Sequence, residues 1–209
     1  MTWAEYYKKT YAPLLTSRAS GAKRGLVEGF RDRSAGFELM FKLLFEQKQK
    51  DFSIIETGTL RNPGNWKDGQ SGAIFADLIN QYGGTLTSID IDSLACKRAA
   101  DAIGNSNVSV VCGDSVQWLQ TCNELDTVDL FYLDSWDVKW ENDQPSAVHH
   151  LSEFISIEPY LGNGTVVAID DNSRFLSGHR TGKGRLIFEY LQQKGILPLY
   201  DAYQIIYQF

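Results

Sequence analysis

The chain contains 209 residues, 43% of them hydrophobic, and carries a net charge of −6. This size and composition are typical of one globular α/β domain with an extension, and no run approaches the ~18 apolar residues of a membrane span. The first residues lack the basic flank and apolar stretch of a secretory signal, so we expect a cytoplasmic protein without a membrane partner.

Charge and cysteine content narrow the classes of partner further. The acidic balance disfavours nucleic acid, because a protein that releases counterions from phosphates usually carries a basic face. One cluster of basic residues is interpreted as a solvated helix face, and the alternative is a local binding patch. The cluster consists of Arg18, Lys23, Arg24, Arg31 and Arg33. The odd number of cysteines and the lack of Cys-x-x-Cys spacing disfavour a disulfide framework and a zinc site, and predict core residues; they are Cys96, Cys112 and Cys122.

Residues 1–50 are predicted to form a helical N-terminal cap. Apolar residues recur at helical spacing after Ser34, which can act as an N-cap; they are Phe37, Met40, Phe41, Leu44 and Phe45. A shorter helix precedes this segment and is interrupted near Pro13.

Residues 51–209 alternate between strand and helix patterns. Five apolar runs predict buried strands: Ile54–Ile55, Leu86–Ile89, Val108–Val111, Leu130–Leu133 and Val166–Ile169. The helical patterns between them predict right-handed βαβ units and a parallel sheet. Two further runs, at 196–200 and 203–209, are too close for a helical crossover and predict an antiparallel pair. The fold class is therefore α/β: a Rossmann-like parallel sheet with helices on both faces, a C-terminal antiparallel strand pair and a helical N-terminal extension.

Each predicted strand ends at an oxygen-bearing residue. Glu56 follows the first strand, Asp90 the second, Asp114 the third and Asp134 the fourth, while Asp170-Asp171-Asn172 follows the fifth. Ligands of open parallel sheets bind outside the carboxyl ends of the strands, so we expect these side chains to converge on one crevice.

The order of these motifs carries a family resemblance. Glu56-x-Gly58 after the first strand and Asp90 after the second resemble class I S-adenosylmethionine-dependent methyltransferases, over roughly 52–209. Leu133-Asp134-Ser135-Trp136 and the Asp-Asn pair after the fifth strand resemble the divalent-metal-dependent O-methyltransferases, which include catechol O-methyltransferase. The Glu-Thr-Gly-Thr start is similar to that of bacterial sugar and macrolide O-methyltransferases.

The resemblance implies S-adenosylmethionine as cofactor. Glu56, Thr57 and Gly58 would lie at its methionine end and Asp90 at its ribose hydroxyls. Asp114 and Ser115 would lie at the adenine. The resemblance also implies that Asp134 and Ser135 contact the cofactor. Asp114 is equally well explained as a helix N-cap. An acid such as Asp90 would also suit NAD, but the Gly-x-Gly-x-x-Gly motif is missing.

The same resemblance implies a Mg²⁺ site at Asp134, Asp171 and Asn172. Hard oxygen ligands from two strand ends suit Mg²⁺, which would hold an acceptor hydroxyl and lower its pKa. Asp170 competes with Asp171 for the ligand role, because the strand register is not fixed by the sequence. The alternative is that these residues only cap the sheet rim.

The general base is where the sequence departs from the family. Catechol O-methyltransferase-like enzymes present a lysine after Leu-Asp-x-Trp, whereas this chain has Asp137 there and Lys139 two positions later. Lys139 and His149 are the candidate catalytic residues, with His150 and His179 as weaker ones.

The predicted function is O-methylation of a small-molecule or sugar hydroxyl, assisted by a divalent metal. Two alternatives stay open: a nonenzymatic module that binds a nucleoside cofactor, and a dinucleotide-dependent oxidoreductase. The sequence does not identify the methyl acceptor, and it leaves a homo-oligomer open.

Overall fold

A computed structural model describes residues 1–15, 33–66, 68–162, 164–174 and 178–209. The helices in these ranges are α1 Trp3–Thr10, α2 Ala12–Leu15, α3 Ser34–Gln47, α4 Ser71–Tyr82, α5 Ser93–Ile103, α6 Ser115–Thr121, α7 Gln144–Ile157 and α8 Arg185–Gln193. The strands are β1 Phe52–Thr57, β2 Gly84–Asp90, β3 Val108–Cys112, β4 Leu130–Leu133, β5 Val166–Ile169, β6 Asn172–Arg174, β7 Arg180–Gly182, β8 Tyr200–Asp201 and β9 Ile205–Gln208. None of the helices described is both long and apolar enough to cross a bilayer.

The main sheet has seven strands in the order β3-β2-β1-β4-β5-β9-β8. The first five are parallel, and β9 pairs antiparallel with both β5 and β8. This confirms the predicted parallel sheet and its C-terminal antiparallel pair. The small antiparallel pair of β6 and β7 was not predicted, because neither three-residue strand has an apolar run.

Alternate residues of the central strands enter two separate cores. Ile54 and Tyr132 pack with the N-terminal helices and α4, whereas Ile55 and Phe131 pack with α6, α7 and α8. This alternation is the period of a β-strand, and it places helices on both faces of the sheet, as predicted. Trp3 and Tyr7 of α1 are buried in the first core, so the described part of the N-terminal segment shares its core with the sheet.

The cysteines are only partly as expected. Cys96 is buried, Cys122 is half-buried and Cys112 is exposed, and all three are free. The core prediction is wrong for Cys112 because it ends β3, which is the edge strand of the sheet.

The basic cluster near the N-terminus is mostly outside the described residues. Arg18, Lys23, Arg24 and Arg31 fall in 16–32, which the structure does not describe. Arg33 is described, and it does not lie on a solvated helix face. Its guanidinium pairs with Asp170 at 3.0 Å and Asp171 at 3.5 Å.

Candidate functional site

A crevice lies at the carboxyl ends of β1, β2 and β4. It is lined by Gly58, Thr59, Leu60, Arg61, Asp68, Gly69, Ser71, Asp90, Asp134 and Ser135. The fold thus brings four of the candidate cofactor-binding residues to one opening: Gly58, Asp90, Asp134 and Ser135. Convergence follows from the topology, because strands that are parallel and adjacent end on the same rim.

Gly58 allows the turn after β1 to approach the turn after β4. Its φ is +82°, and a Cβ at this position would lie 2.5 Å from the backbone oxygen of Asp134. The Gly58 amide donates to the carbonyl of Ile89 at 2.7 Å. A side chain here would force the two turns apart and close the approach of a ligand to the backbone.

The carboxylate of Asp90, at the end of β2, is bound by two backbone amides. Its Oδ2 accepts from the Thr59 amide at 3.0 Å, and its Oδ1 accepts from the Asp92 amide at 2.8 Å. An ionised carboxylate has about four acceptor positions. Each oxygen therefore keeps one position for a ligand, which is the arrangement that a pair of vicinal hydroxyls requires.

Glu56 lies in the core beneath the crevice. It is 1% exposed, and its Oε2 accepts from the Ser88 hydroxyl at 2.7 Å. Burial raises the pKa of Glu56 to about 8, although hydrogen bonds from Ser71 and Ser88 oppose the shift. The carboxyl is therefore mostly neutral at pH 7 in the free protein.

Glu56→Gln is expected to change the pH dependence of stability. The folded pKa of about 8 lies above the usual 4.5, so the unfolded chain loses this proton first and the fold loses stability as pH rises between the two values. The slope reaches about 1.4 kcal/mol per pH unit. Urea unfolding at pH 5 and pH 8 should show a smaller decline for Glu56→Gln than for wild type or the exposed control Glu46→Gln. Equal declines in all three proteins would contradict the assignment.

A second cluster is organised by Glu153 of α7, which is fully buried. Its carboxylate accepts hydrogen bonds from the hydroxyls of Thr57 at 3.2 Å, Ser135 at 2.7 Å and Ser115. His149 Nε2 lies 3.3 Å from the same carboxylate. One side chain therefore ties together β1, α6 and the turn after β4.

Glu153 was not predicted as a site residue, although the sequence contains a signal for it. Residues Ala147, His150, Phe154 and Ile157 form the buried face of α7, and Glu153 falls on that face. A carboxylate at a core position of an amphipathic helix requires buried partners. Thr57, Ser115 and Ser135, all candidate cofactor residues, are those partners.

The two histidines of α7 have different environments. Burial acts against protonation of His149, but Glu153 outweighs it and raises the pKa of His149. Full burial lowers the pKa of His150 to about 4, and its Nδ1 lies 2.7 Å from the Ser146 carbonyl.

Asp114 caps α6 by accepting a hydrogen bond from the Gln117 amide at 2.9 Å, as its N-cap interpretation expects.

A third cluster surrounds Lys183, which was not predicted from the sequence either. Its ammonium is 1% exposed and donates to Asp134 Oδ1, to the Asp134 carbonyl at 3.2 Å, and to Asp171 Oδ2 at 2.9 Å. Burial would lower the pKa of Lys183, but the two carboxylates outweigh burial and raise it. Lys183 is therefore a permanent cation at neutral pH.

The acids of this cluster differ in charge and contact. Burial raises the pKa of Asp170 to about 7, and Arg33 opposes the shift. Burial would also raise the pKa of Asp171, but Lys183 and Arg33 bring it below its usual value, and Tyr203 donates a hydrogen bond to it. Asp171 has a φ of +51°, which turns its side chain away from the direction that strand alternation would give.

Asn172 holds the chain in place next to this cluster. Its amide nitrogen donates to the carbonyls of Ile169 at 2.8 Å and Asp170 at 3.0 Å. Its Oδ1 accepts from the Gly184 amide at 2.7 Å. Both ends of the amide are thus engaged by backbone, and the group is 3% exposed.

The predicted Mg²⁺ donor set does not fit this geometry. The ammonium of Lys183 lies between Asp134 and Asp171, and the Asn172 oxygen is bound to a backbone amide. Among the described residues, no group of three or more acidic, histidine or cysteine side chains has metal-binding geometry.

The remaining base candidates are distributed over the surface and the Glu153 cluster. Lys139 is exposed, in the loop before α7, and its carbonyl accepts from the Asn142 amide at 2.9 Å. His179 is exposed, next to β7. Asp137, where the enzymes that the motif resembles carry a lysine, pairs at 2.7 Å with Arg61, which lines the crevice.

Comparisons with known proteins find similar folds only. The sequence matches no protein-family model, and no curated protein sequence matches it significantly. One similar solved structure is SMU.1697c from Streptococcus mutans in complex with S-adenosylhomocysteine, which is described as a candidate methyltransferase. Its sequence is 12% identical to this chain, and the TM-score is 0.52. The match covers 82% of this chain and 96% of that one. This likeness supports the α/β fold, and at such low identity it shows the fold alone.

Two further structures are less similar. The MycE methyltransferase of the mycinamycin biosynthetic pathway, with Mg and S-adenosylhomocysteine, is 12% identical over 66% of this chain, with a TM-score of 0.45. The 4+2 cyclase SpnF is 18% identical over 94% of this chain and 72% of that one, with a TM-score of 0.46. The match spans only 34% of the MycE chain.

Proposed function

We propose that this protein is an S-adenosylmethionine-dependent methyltransferase. The observation that carries the proposal is the meeting of Gly58 and Asp90 in one crevice. Asp90 keeps two acceptor positions for the ribose hydroxyls, and the backbone at Gly58 is open to close approach by the rest of the cofactor. Asp134 lines the same crevice and would face the methyl group.

The chemistry this crevice can support is transfer by in-line displacement. Most of the catalytic help in such a reaction comes from holding the acceptor atom in line with the sulfonium methyl. Asp134 is 21% exposed on its side chain, so its outer lone pairs can accept a hydrogen bond from an incoming hydroxyl. On this basis, and on the motif resemblance, we propose a small-molecule or sugar hydroxyl as acceptor.

Ligand-dependent thermal unfolding tests the cofactor class. A ligand that binds only the folded state raises its stability by mass action, by about 2.7 kcal/mol at 100 times Kd. S-adenosylmethionine and S-adenosylhomocysteine are expected to raise Tm, and NAD is expected to leave it unchanged. A rise with NAD alone would favour the oxidoreductase. A rise in Tm with S-adenosylmethionine and S-adenosylhomocysteine, without methyl transfer to a broad panel of hydroxyl acceptors, would favour a binding module.

Lys139→Met is expected to reduce the transfer rate less than Asp134→Ala does. Lys139 is exposed and is not one of the residues that line the crevice, so its replacement leaves the crevice lining unchanged. Asp134 lies at the crevice and holds Lys183, so its removal affects both positioning and charge. Single-turnover rates at several pH values decide between them. If Lys139→Met reduces the rate more than Asp134→Ala does, and also removes the rise in rate at alkaline pH, the result would instead support a lysine base.

A further inference from the structure

The position between Asp134 and Asp171 is fully coordinated by the protein itself. An ammonium has three donors, and Lys183 directs them to the Asp134 carboxylate, the Asp134 carbonyl and the Asp171 carboxylate. The oxygens come from the ends of β4 and β5, the two strand ends to which the sequence analysis assigned a metal.

The backbone around Lys183 is built to place this ammonium. Gly182 has a φ of +115°, and a Cβ there would lie 2.2 Å from the Asp171 carbonyl oxygen. A Cβ on Gly184 would lie 2.7 Å from the Asn172 oxygen that its own amide binds. Lys183 therefore enters the cluster because glycine on both sides lets the chain pass against the Asp171-Asn172 turn.

Asp143 also holds this segment, through hydrogen bonds to three of its residues. Its carboxylate accepts from the Gly182 amide at 2.8 Å, the Thr181 hydroxyl at 3.0 Å and the Arg185 guanidinium at 2.9 Å. A lysine on a mobile loop would have no such support. Segment 180–185 is thus anchored at both ends of its turn.

We propose that Lys183 is the resident cation of this site and takes the place between Asp134 and Asp171 that a divalent metal would take. With Lys183 in this position, the outer oxygen of Asp134 is available to accept a hydrogen bond. A divalent ion would instead bind the hydroxyl oxygen of the methyl acceptor directly. Lys183 is buried behind the carboxylates, so it acts as a positioning residue. Its effect on an acceptor rests on the proposed function, but its occupation of the cation position does not.

Metal binding by the full-length protein tests this proposal without any activity assay. Mn²⁺ is titrated by calorimetry and by electron paramagnetic resonance into wild type, Lys183→Ala, Asp134→Asn and Lys97→Ala, the last an exposed lysine of α5. Lys183→Ala frees two carboxylates around an open space and is expected to bind one Mn²⁺ at least tenfold more tightly than wild type. Lys97→Ala is expected to behave like wild type.

Two results would overturn the proposal. One is stoichiometric Mn²⁺ binding by wild type that Asp134→Asn abolishes, a result that is decisive even where Lys183→Ala does not fold. The other is a folded Lys183→Ala with no gain in Mn²⁺ affinity. If cofactor binding fails while Lys183→Ala gains Mn²⁺, the proposed function is wrong and the cation assignment stands.

Discussion

Replacing Glu153 by alanine is expected to lower the free energy of unfolding by about 3–5 kcal/mol, the range for removing one partner from a buried ionic cluster. The reason is that three hydroxyls and His149 direct their donors at one fully buried carboxylate. For a chain of this size, Tm should fall by roughly 6–20 °C. Glu141, an exposed glutamate in the loop before α7, is the control: Glu141→Ala should leave Tm within about 2 °C.

The same substitution gives a pH signature. Burial would raise the pKa of Glu153, but His150, His149 and Ser115 lower it below the usual value. An acid whose pKa is lower in the folded state than in the unfolded state stabilises the fold at pH values above its unfolded pKa. This contribution is lost as pH falls through the folded pKa. The Tm difference between wild type and Glu153→Ala should therefore shrink on acidification below about pH 4. A constant difference would show that Glu153 acts by packing alone.

Asp90→Ala is expected to weaken binding of S-adenosylhomocysteine by about 1–3 kcal/mol, or roughly 5- to 150-fold in Kd, because two charge-assisted hydrogen bonds to the ribose are lost. Calorimetry on wild type, Asp90→Ala and Asp101→Ala measures this effect, with Asp101 as an exposed aspartate of α5. Asp90 also accepts from two backbone amides, so Tm is measured in parallel to confirm that the variant is folded. Unchanged affinity in folded Asp90→Ala would remove Asp90 from the cofactor site.

The parallel strands and the crevice at their carboxyl ends could be predicted because their signals are local. Each buried parallel strand is a short apolar run, and each ends at an oxygen-bearing residue such as Asp90 or Asp134. Parallel connection through helices then forces these ends onto one rim. Gly58 was identified from its place directly after the first strand; in the structure its positive φ lets the turn after β1 lie close to the turn after β4.

The partners of those residues could not be predicted, because they come from distant parts of the chain. Lys183 lies 49 residues after Asp134 in the sequence, inside a Gly-rich stretch that has no apolar run. Its burial depends on the β6–β7 pair, which has no apolar pattern to reveal it. The register after β5 was also ambiguous, since the positive φ of Asp171 breaks the alternation that would have separated it from Asp170.

The proposed function requires that a nucleoside cofactor binds in the crevice between Gly58 and Asp90. A crystal structure of the full chain with S-adenosylhomocysteine tests it most directly. We expect both ribose hydroxyls within about 3 Å of the Asp90 carboxylate, the homocysteine beside Gly58, and the sulfur facing Asp134. A nucleoside bound outside this crevice, or a ribose that makes no contact with Asp90, would contradict the account.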